Sequence, residues 1–399
     1  MPWKETDVVN LRTEFALKSL TRTVTFKDLC NEFEISRKTG YKWRERFLEE
    51  GLHGLYDLAR RPKSSPRQLP EETICEIVRF KLLHPAWGPR KIRELYLRGY
   101  GEAPSTSSFK RILEKAGLVK HRRRRRQRDL RRLTQVVTAR GPNDIWTVDF
   151  KGWWRISSDR RCEPLTIRDD FSRYILAVSA LESPSFQAVR AEFERVFTQY
   201  GMPGIIRSDN GSPFASRQAP LGLSRLSVWW IGLGIRLDRT APGHPEQNGG
   251  HERMHRDIRM ELQGIIEGDL EHQQNAFDIW RRTFNYERPH EALNMKVPAE
   301  VYKPSSLRYQ EVENIDYSRD YIVRKVNSCG RICINNKHIF ISGALSGWNV
   351  GLKYVSDHCM EVWFDYLRIG EIDLKAEAFT CSVDQNPSVN ISEKVLPMS

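Results

Sequence analysis

Asp144-Ile-Trp-Thr-Val-Asp-Phe-Lys-Gly-Trp-Trp-Arg-Ile156, then Glu163-Pro-Leu-Thr-Ile-Arg-Asp-Asp-Phe-Ser-Arg-Tyr-Ile-Leu-Ala-Val-Ser-Ala180, then Gly204-Ile-Ile-Arg-Ser-Asp-Asn-Gly211 is the succession that decides the fold. The first two runs are rich in β-branched and aromatic residues and predict strands with a turn between them. A helix over Ser185 to Tyr200 follows and leads into the third run. Three strands, a crossover helix and a parallel strand describe an α/β core with a mixed sheet. Ligands of such sheets gather at the carboxyl ends of strands. Asp149 and Asp209 both stand late in predicted strands.

Upstream of Asn143 the pattern is helical. Phe26, Leu29, Cys30 and Phe33 form an i, i+3, i+4, i+7 stripe, a turn follows at Glu34-Ile35, and Ser36 caps a second helix from Arg37 to Glu49. Tyr41, Phe47 and Leu48 can face the first helix, while Arg37, Lys38, Thr39, Lys42 and Arg46 remain available. This is the layout of a helix-turn-helix whose second helix reads DNA; a helical hairpin with a solvated charged face is the bland alternative. After a Pro/Ser/Arg-rich linker, Glu71 to His84 carries a stripe at Ile74, Ile77, Val78 and Leu82. Pro85 to Pro89 breaks it, Arg90 to Leu97 resumes, and Ser105 caps one more helix. A tandem pair of helix-turn-helix modules results, with Arg90, Ser107, Lys110 and Arg111 as candidate DNA contacts in the second.

Lys120-His-Arg-Arg-Arg-Arg-Arg-Gln-Arg-Asp-Leu-Arg-Arg132 holds nine basic residues in thirteen positions, and Arg122, Arg123, Arg124, Arg125 and Arg126 are its densest part. Nuclear import and a solvated charged helix are the other readings of such a run. Phosphate contact is preferred, because residues 1–140 carry 33 Lys/Arg against 17 Asp/Glu while the remainder carries 31 against 34. The net charge of +13 is therefore concentrated where DNA would bind. Leu226 to Ile235, the most apolar run, is far short of the roughly 20 residues of a membrane span. Seven irregularly spaced cysteines describe no disulfide framework and fit a reducing cytoplasm. Cys329, Cys333, His358 and Cys359 lack the ligand spacing of a zinc site, and buried strand cysteines are the simpler reading.

Beyond Pro304, alternating runs at Tyr321, Arg331, Lys337, Leu352 and Met360 predict short strands of a small β-barrel. The expected organisation is a multidomain α+β chain: helix-turn-helix domains over residues 1–57 and 68–119, a basic linker over 120–140, an α/β catalytic core over 141–305, the barrel over 306–374, and a loosely ordered tail over 375–399.

Three fragments carry the chemistry: Trp146-Thr-Val-Asp149-Phe-Lys, Arg207-Ser-Asp209-Asn-Gly-Ser-Pro-Phe and Pro242-Gly-His-Pro-Glu-Gln-Asn-Gly-Gly-His-Glu252-Arg-Met-His. Together they resemble the retroviral-integrase-like DDE transposases of bacterial insertion sequences, whose core is RNase H-like; the resemblance spans roughly residues 140–305. Position by position it makes Asp149 and Asp209 the two aspartates and Glu252 the glutamate, all three catalytic and metal-binding. Phe284-Asn-Tyr-Glu-Arg-Pro-His-Glu-Ala-Leu293 resembles the closing helix of that family. The interval between Asp209 and Glu252 is longer than in many relatives, and Ser216 to Trp230 reads as an inserted loop.

The resemblance implies cleavage and strand transfer of double-stranded DNA, acting on element ends and target, by a homo-oligomer at least dimeric, cytoplasmic and nucleoid-associated. Phosphoryl transfer with an alkoxide leaving group needs charge neutralised on both the entering and departing oxygens, which two metal ions provide. Hard carboxylate oxygens select Mg²⁺ or Mn²⁺. Glu246 is the rival third ligand, but Pro245 before it and Gly249-Gly250 after it favour a mobile loop. Glu252 opens a predicted helix, His251 to Leu262, with His255, Arg256 and Arg259 following it as candidate DNA-backbone contacts. A regulator that keeps the fold without cutting, and a nuclease that does not join strands, are the competing classes.

Overall fold

The computed structural model describes residues 7–21, 23–58, 69–119, 137–157, 159–240, 249–263 and 268–382. The chain forms two compact units, Met1–Pro70 and Glu71–Ser399. The run from Arg122 to Arg126 and Glu246 lie outside the described residues.

The first unit contains α1 (Val8–Thr21), α2 (Phe26–Glu32) and α3 (Arg37–Glu50). Thr25 and Ser36 cap α2 and α3 by accepting from the backbone N–H three residues on. Leu29 and Cys30 of the predicted stripe are buried against Phe15. At Gly40 a Cβ would stand 2.7 Å from Cys30 Sγ and 2.9 Å from the Phe15 ring, so glycine allows α3 to cross this closely. The inward face of α3 differs from expectation. Trp43 is its anchor, packed with Ala16 and Leu55, whereas Leu48 is exposed and Tyr41 stacks on Phe26 from the outside.

The second unit opens with α4 (Glu71–Leu83), α5 (Pro89–Tyr100) and α6 (Thr106–Lys115), packed around Ile77, Trp87, Ile92, Tyr96, Phe109 and Leu113. Leu82 is exposed, contrary to the predicted stripe, and Lys81 is buried in its stead. The Lys81 ammonium donates to the carbonyls of Pro85 (2.6 Å) and Trp87 (2.8 Å) and so closes the turn that the prolines open.

The sheet of the catalytic region comprises β1 (Ile145–Phe150), β2 (Trp154–Arg155), β3 (Arg161–Asp169), β4 (Ile175–Leu181), β5 (Ile205–Ser208) and β6 (Arg236–Arg239). Its order is β4-β3-β1-β5-β6, with β2 paired to the start of β3. β5 and β6 run parallel to β1 and β3 antiparallel, giving the expected mixed sheet. The crossover helix is α7 (Phe186–Tyr200). Strand side chains alternate between faces. Trp146, Val148, Leu165 and Ile167 point into the core formed with α7 and α8 (Arg225–Gly232). Ile175 and Val178 take part in a second core with α9 (Gly249–Glu261) and α10 (Leu270–Tyr286). The segment from Ser216 to Trp230 is only partly a loop: α8 starts within it and buries Leu226, Val228, Trp229 and Trp230.

A four-residue helix α11 (Pro298–Val301) precedes the C-terminal strands. These are β7 (Ile322–Lys325), β8 (Arg331–Ile334), β9 (Lys337–Phe340), β10 (Asn349–Ser356), β11 (Cys359–Phe364), β12 (Leu367–Asp373) and β13 (Ala378–Cys381). They form a five-stranded antiparallel sheet, β13-β12-β11-β10-β7, and a separate β8-β9 hairpin. Their ladders do not close into a barrel. Nor does order stop at Leu374, since β13 pairs with β12. Cys329 and Cys333 are exposed rather than buried. The hydrophobic residues of these strands are continuous with the core over α7 and α8, and Trp348 packs so closely on Gly232 that a Cβ there would overlap its ring.

Candidate active site

Period-two alternation fixes what faces α9. With Trp146 and Val148 committed to the α7 side, Thr147 and Asp149 of β1 face the other way, as do Thr166 and Arg168 of β3. Asp209 directly follows β5. Extending the parallel register Thr147↔Arg207 by two residues brings Asp209 level with Asp149 on the neighbouring strand. The Gly211 N–H donates to Asp209 Oδ1 (3.1 Å), and the Asn210 amide donates to the Thr240 carbonyl (2.8 Å), which shapes the loop. Glu252 lies in the first turn of α9, where the helix dipole favours a carboxylate.

The Asp149 carboxyl is strongly perturbed. Burial, then the negative charges of Asp209 and Glu252, push its carboxyl up to about 7 against hydrogen bonding by the Phe150 backbone. Asp209 and Glu252 are thus each within electrostatic reach of Asp149. Among the described residues no three His, Cys, Asp or Glu side chains converge closely enough to hold an ion as they stand. Asp209 and Glu252 are exposed and Asp149 is half-buried.

A buried hydrogen-bond cluster mounts α9 on the sheet. Thr166 Oγ1 donates to the Asp149 carbonyl (2.8 Å) and lies 2.8 Å from Nε2 of both His251 and His255. Its single proton is committed to that carbonyl, so it accepts from both imidazoles and fixes each as the Nε2–H tautomer. His251 Nδ1 then accepts from Thr147 Oγ1 (2.8 Å). His255 Nδ1 stands 3.8 Å from Asp149 Oδ2, too far for a hydrogen bond. Burial, with Lys151 and Arg168 nearby, holds His255 down at about 3, and burial likewise holds His251 well below its ordinary value. Both rings are neutral struts.

His255 therefore does not share a solvent face with Arg256 and Arg259. Those two are exposed, whereas His255 is enclosed by Thr166, and its burial does not suit a DNA contact. Lys151 sits among the charges at this end, its ammonium lowered by burial and by Arg259 while Asp149 opposes the shift. Sequence reasoning missed Thr147, Thr166 and His251. The signal was present in the alternation of β1 and in the i, i+4 spacing of the two histidines.

The Arg288-Pro-His290 element clamps α9 from the other end. Arg288 donates to Asp257 Oδ2 (2.5 Å), both side chains being buried, and Trp280 Nε1 donates to Glu261 (2.7 Å). Gly250 lets the Arg168 guanidinium approach the first turn of α9, since a Cβ would lie 2.3 Å from one of its nitrogens and force it to shift. Asp169 and Asp170 are structural. Asp169 accepts from the N–H groups of Asn143 and Ser172 (2.7 Å each), and Asp170 pairs with Arg168 (2.9 Å) and Arg207 (3.4 Å).

The remaining predicted contacts are distributed along the helical units. Arg37, Lys38 and Lys42 are exposed on α3, and Thr39 is half-buried beside Ser36. Arg46 is occupied, donating to the Tyr56 carbonyl (2.8 Å). Ser107, Lys110 and Arg111 are exposed on α6. Arg90 is exposed but bonded to Glu291 (2.9 Å). No described helix is long and apolar enough to cross a membrane.

Family models agree with this layout. An Integrase core domain matches residues 139–245 and a second Integrase core domain matches 233–298. A Helix-turn-helix domain matches 12–63 and a Homeodomain-like domain 39–113. The chain is 30% identical over 215 residues to the insertion element IS407 31.7 kDa protein of Burkholderia multivorans, covering 54% of this chain and 74% of that one. It is 28% identical over 266 residues to the insertion element IS476 39.2 kDa protein of Xanthomonas euvesicatoria, covering 66% and 73%. Among solved structures, the catalytic core domain of HTLV-2 integrase, in complex with magnesium, matches 41% of this chain and 99% of its own length, with 17% identity and a TM-score of 0.30. The chain belongs to the DDE transposases of insertion sequences, with helix-turn-helix DNA-binding units and an integrase-like core.

Proposed function

We propose that Asp149, Asp209 and Glu252 form the carboxylate triad of this transposase, and that with Mg²⁺ or Mn²⁺ they cut the element ends and join them to target DNA. The observation that carries the reading is the arrangement: Asp149 lies near the end of β1, Asp209 directly follows the adjacent parallel β5, and Glu252 stands in the first turn of α9, near enough that the charges of both act on Asp149. A cluster of hard oxygens whose like charges oppose one another fits divalent cations, which when bound neutralise the entering and leaving oxygens of the phosphodiester. Each acid has a distinct mount. Asp149 comes from a central strand, Asp209 from a turn held by Gly211, and Glu252 from a helix that His251 and His255 fix to Thr166. Water attacks the phosphorus at the element end as the 3′ oxygen departs with its electron pair and takes up a proton. The freed 3′ hydroxyl then displaces a 3′ oxygen of target DNA in the same way. Lys151, Arg256 and Arg259 are suited to hold the backbone that enters.

We further take residues 1–57 and 68–119 as DNA-binding domains, 120–140 as a basic linker, 141–305 as the catalytic core, and 306–374 as a β domain whose two sheets pack as an open barrel. Two element ends must be held together, so the working form is at least a dimer on DNA. The test is cleavage and joining of labelled element-end DNA by the full chain with Mg²⁺. Glu252→Gln is expected to lose both steps by on the order of 100- to 1,000-fold, the range found when a transition-state charge partner is removed, while still binding DNA. Glu246→Gln should retain appreciable activity. Normal cutting by Glu252→Gln together with an inactive Glu246→Gln overturns the assignment. Metal-dependent cutting without joining would make the chain a nuclease, and binding with neither step a regulator.

A further inference from the structure

Arg168, two residues beyond Thr166 on the same face of β3, leads into a cavity of about 230 Å³. Its walls come from α5, the end of β3, the first turns of α9 and the Arg288-Pro-His290 segment. Five permanent or basic cations line it: Lys91, Arg168, Arg173, Arg253 and Arg288. The opposing carboxylates are Asp257 and Glu291, and both are engaged, Asp257 by Arg288 and Glu291 by Arg90. Lys91, Arg173 and Arg253 make no ion pair with any described residue. Burial and Arg288 bring the Lys91 ammonium down to about 8.

Arg168 Nε, Arg288 Nε and His290 Nε2 have no hydrogen-bond partner among the described residues, and these residues are only 5%, 6% and 8% exposed. Five cations lining one cavity, three of them without an ion pair among the described residues and both lining carboxylates already engaged, point to an anion. Gly250 adds the first turn of α9, where N–H groups lack intrahelical acceptors and the dipole is positive. Donors converge from four separate elements, which suits a tetrahedral oxyanion better than a planar carboxylate. The volume equals the share of seven or eight waters at roughly 30 Å³ each, enough for a phosphate and part of a sugar but not a base pair.

We infer that this cavity is a phosphate site, which takes a backbone phosphate of bound DNA and thereby locks α5 to the catalytic core. The inference deepens the reading of the chain as a DNA-joining enzyme and rests on it only for the source of the phosphate; inorganic phosphate has the same chemistry, and the test separates the two.

The first arm is thermal unfolding of the full chain in inorganic phosphate and in chloride of equal ionic strength. The wild-type protein should melt higher in phosphate by about 3 °C or more at saturating concentration. Lys91→Gln and Arg253→Gln should lose most of that rise, yet melt no lower than wild type in chloride, because removing a like charge relieves repulsion. Arg253 is exposed, so its variant keeps the test valid if Lys91→Gln misfolds. The second arm is affinity for an element-end duplex across a salt series. Lys91→Gln should bind about 10-fold more weakly, with a log–log salt slope smaller by about 0.9. Equal melting of wild type in phosphate and chloride overturns the site. A phosphate-specific rise in wild type with unchanged DNA affinity and slope in both variants assigns the site to the free ion and overturns the DNA source. Full cutting by Glu252→Gln alongside the phosphate effects removes the triad and leaves the site standing.

Discussion

The cations of the two helical units do different work. On α3, Arg37, Lys38 and Lys42 stand in solvent without an ion-pair partner among the described residues, although the Lys42 ammonium lies 5.0 Å over the Trp43 ring. On α5, Arg90 pairs with Glu291, Arg98 pairs with Glu300 and donates to the Met295 carbonyl, and Lys91 sinks into the cationic cavity. Both units are built from capped amphipathic helices, and their sequences look alike. The difference arises about 200 residues downstream, where the acids of the Glu291–Glu300 segment accept the α5 arginines. One unit leaves these cations exposed, as the proposed DNA contact requires, and the other commits part of its charge to the segment around Glu291 and Glu300. On α6, Ser107, Lys110 and Arg111 are exposed.

The largest expected effect follows from that contrast. Replacing Arg37, Lys38 and Lys42 together by alanine should weaken element-end binding by on the order of 100-fold or more and reduce the salt slope by about 0.9 for each phosphate no longer neutralised. Arg90→Ala should change affinity less than about 3-fold. Equal reductions from the two changes, measured by equilibrium binding in one buffer, would erase the distinction between the units. Lys38→Ala alone sharpens it further, since a base contact is worth roughly 1–3 kcal/mol of discrimination. Its effect should differ between element-end and unrelated DNA, and a uniform weakening argues for a phosphate contact.

Strand alternation and capping residues made the mixed sheet and α7 legible in the sequence, because each depends on local order, and they put Asp149 late in a strand and Glu252 at the start of a helix, as found. What escaped depended on partners distant in the chain. His255 looked like one of three cations along α9, yet its partner Thr166 is 89 residues away and turns it inward. The stripe placed Leu82 inward, and the structure buries Lys81 instead, because the Pro85–Trp87 turn presents carbonyls that the ammonium satisfies. β13 lay past the last clear apolar alternation and is held by pairing with β12.

That reversal carries the next prediction. Lys81→Met keeps the length of the side chain but leaves two carbonyls without their donor, at a cost of about 2 kcal/mol. Amide hydrogen exchange should quicken across α4–α6 and stay unchanged in α1–α3. An unaltered exchange rate in residues 85–88 would mean that water replaces the ammonium there without penalty.

The smallest effect tests the docking itself. Arg98 and Glu300 are 35% and 41% exposed and 2.9 Å apart, so screening limits their mutual attraction to about 0.2–1 kcal/mol. Arg98 has a second bond, 3.0 Å from the Met295 carbonyl, that Glu300 does not share. Arg98→Ala loses that carbonyl bond as well as the pair, whereas Glu300→Ala loses the pair and the acceptor of the Val297 N–H (3.3 Å), so the two single variants should differ and the double variant should cost less than their sum. Exchanging the charges, with Arg98→Glu and Glu300→Arg, restores the attraction but not the carbonyl bond, because a carboxylate cannot donate; recovery should be partial. At about 1 M salt the Debye length falls to roughly 3 Å, and the coupling should vanish while the difference between the single variants persists. Thermal unfolding at low and high salt measures both quantities. A coupling that survives 1 M salt would place this pair in a drier contact than its exposure describes, and the absence of coupling at low salt would leave the cationic cavity as the principal link between α5 and the core.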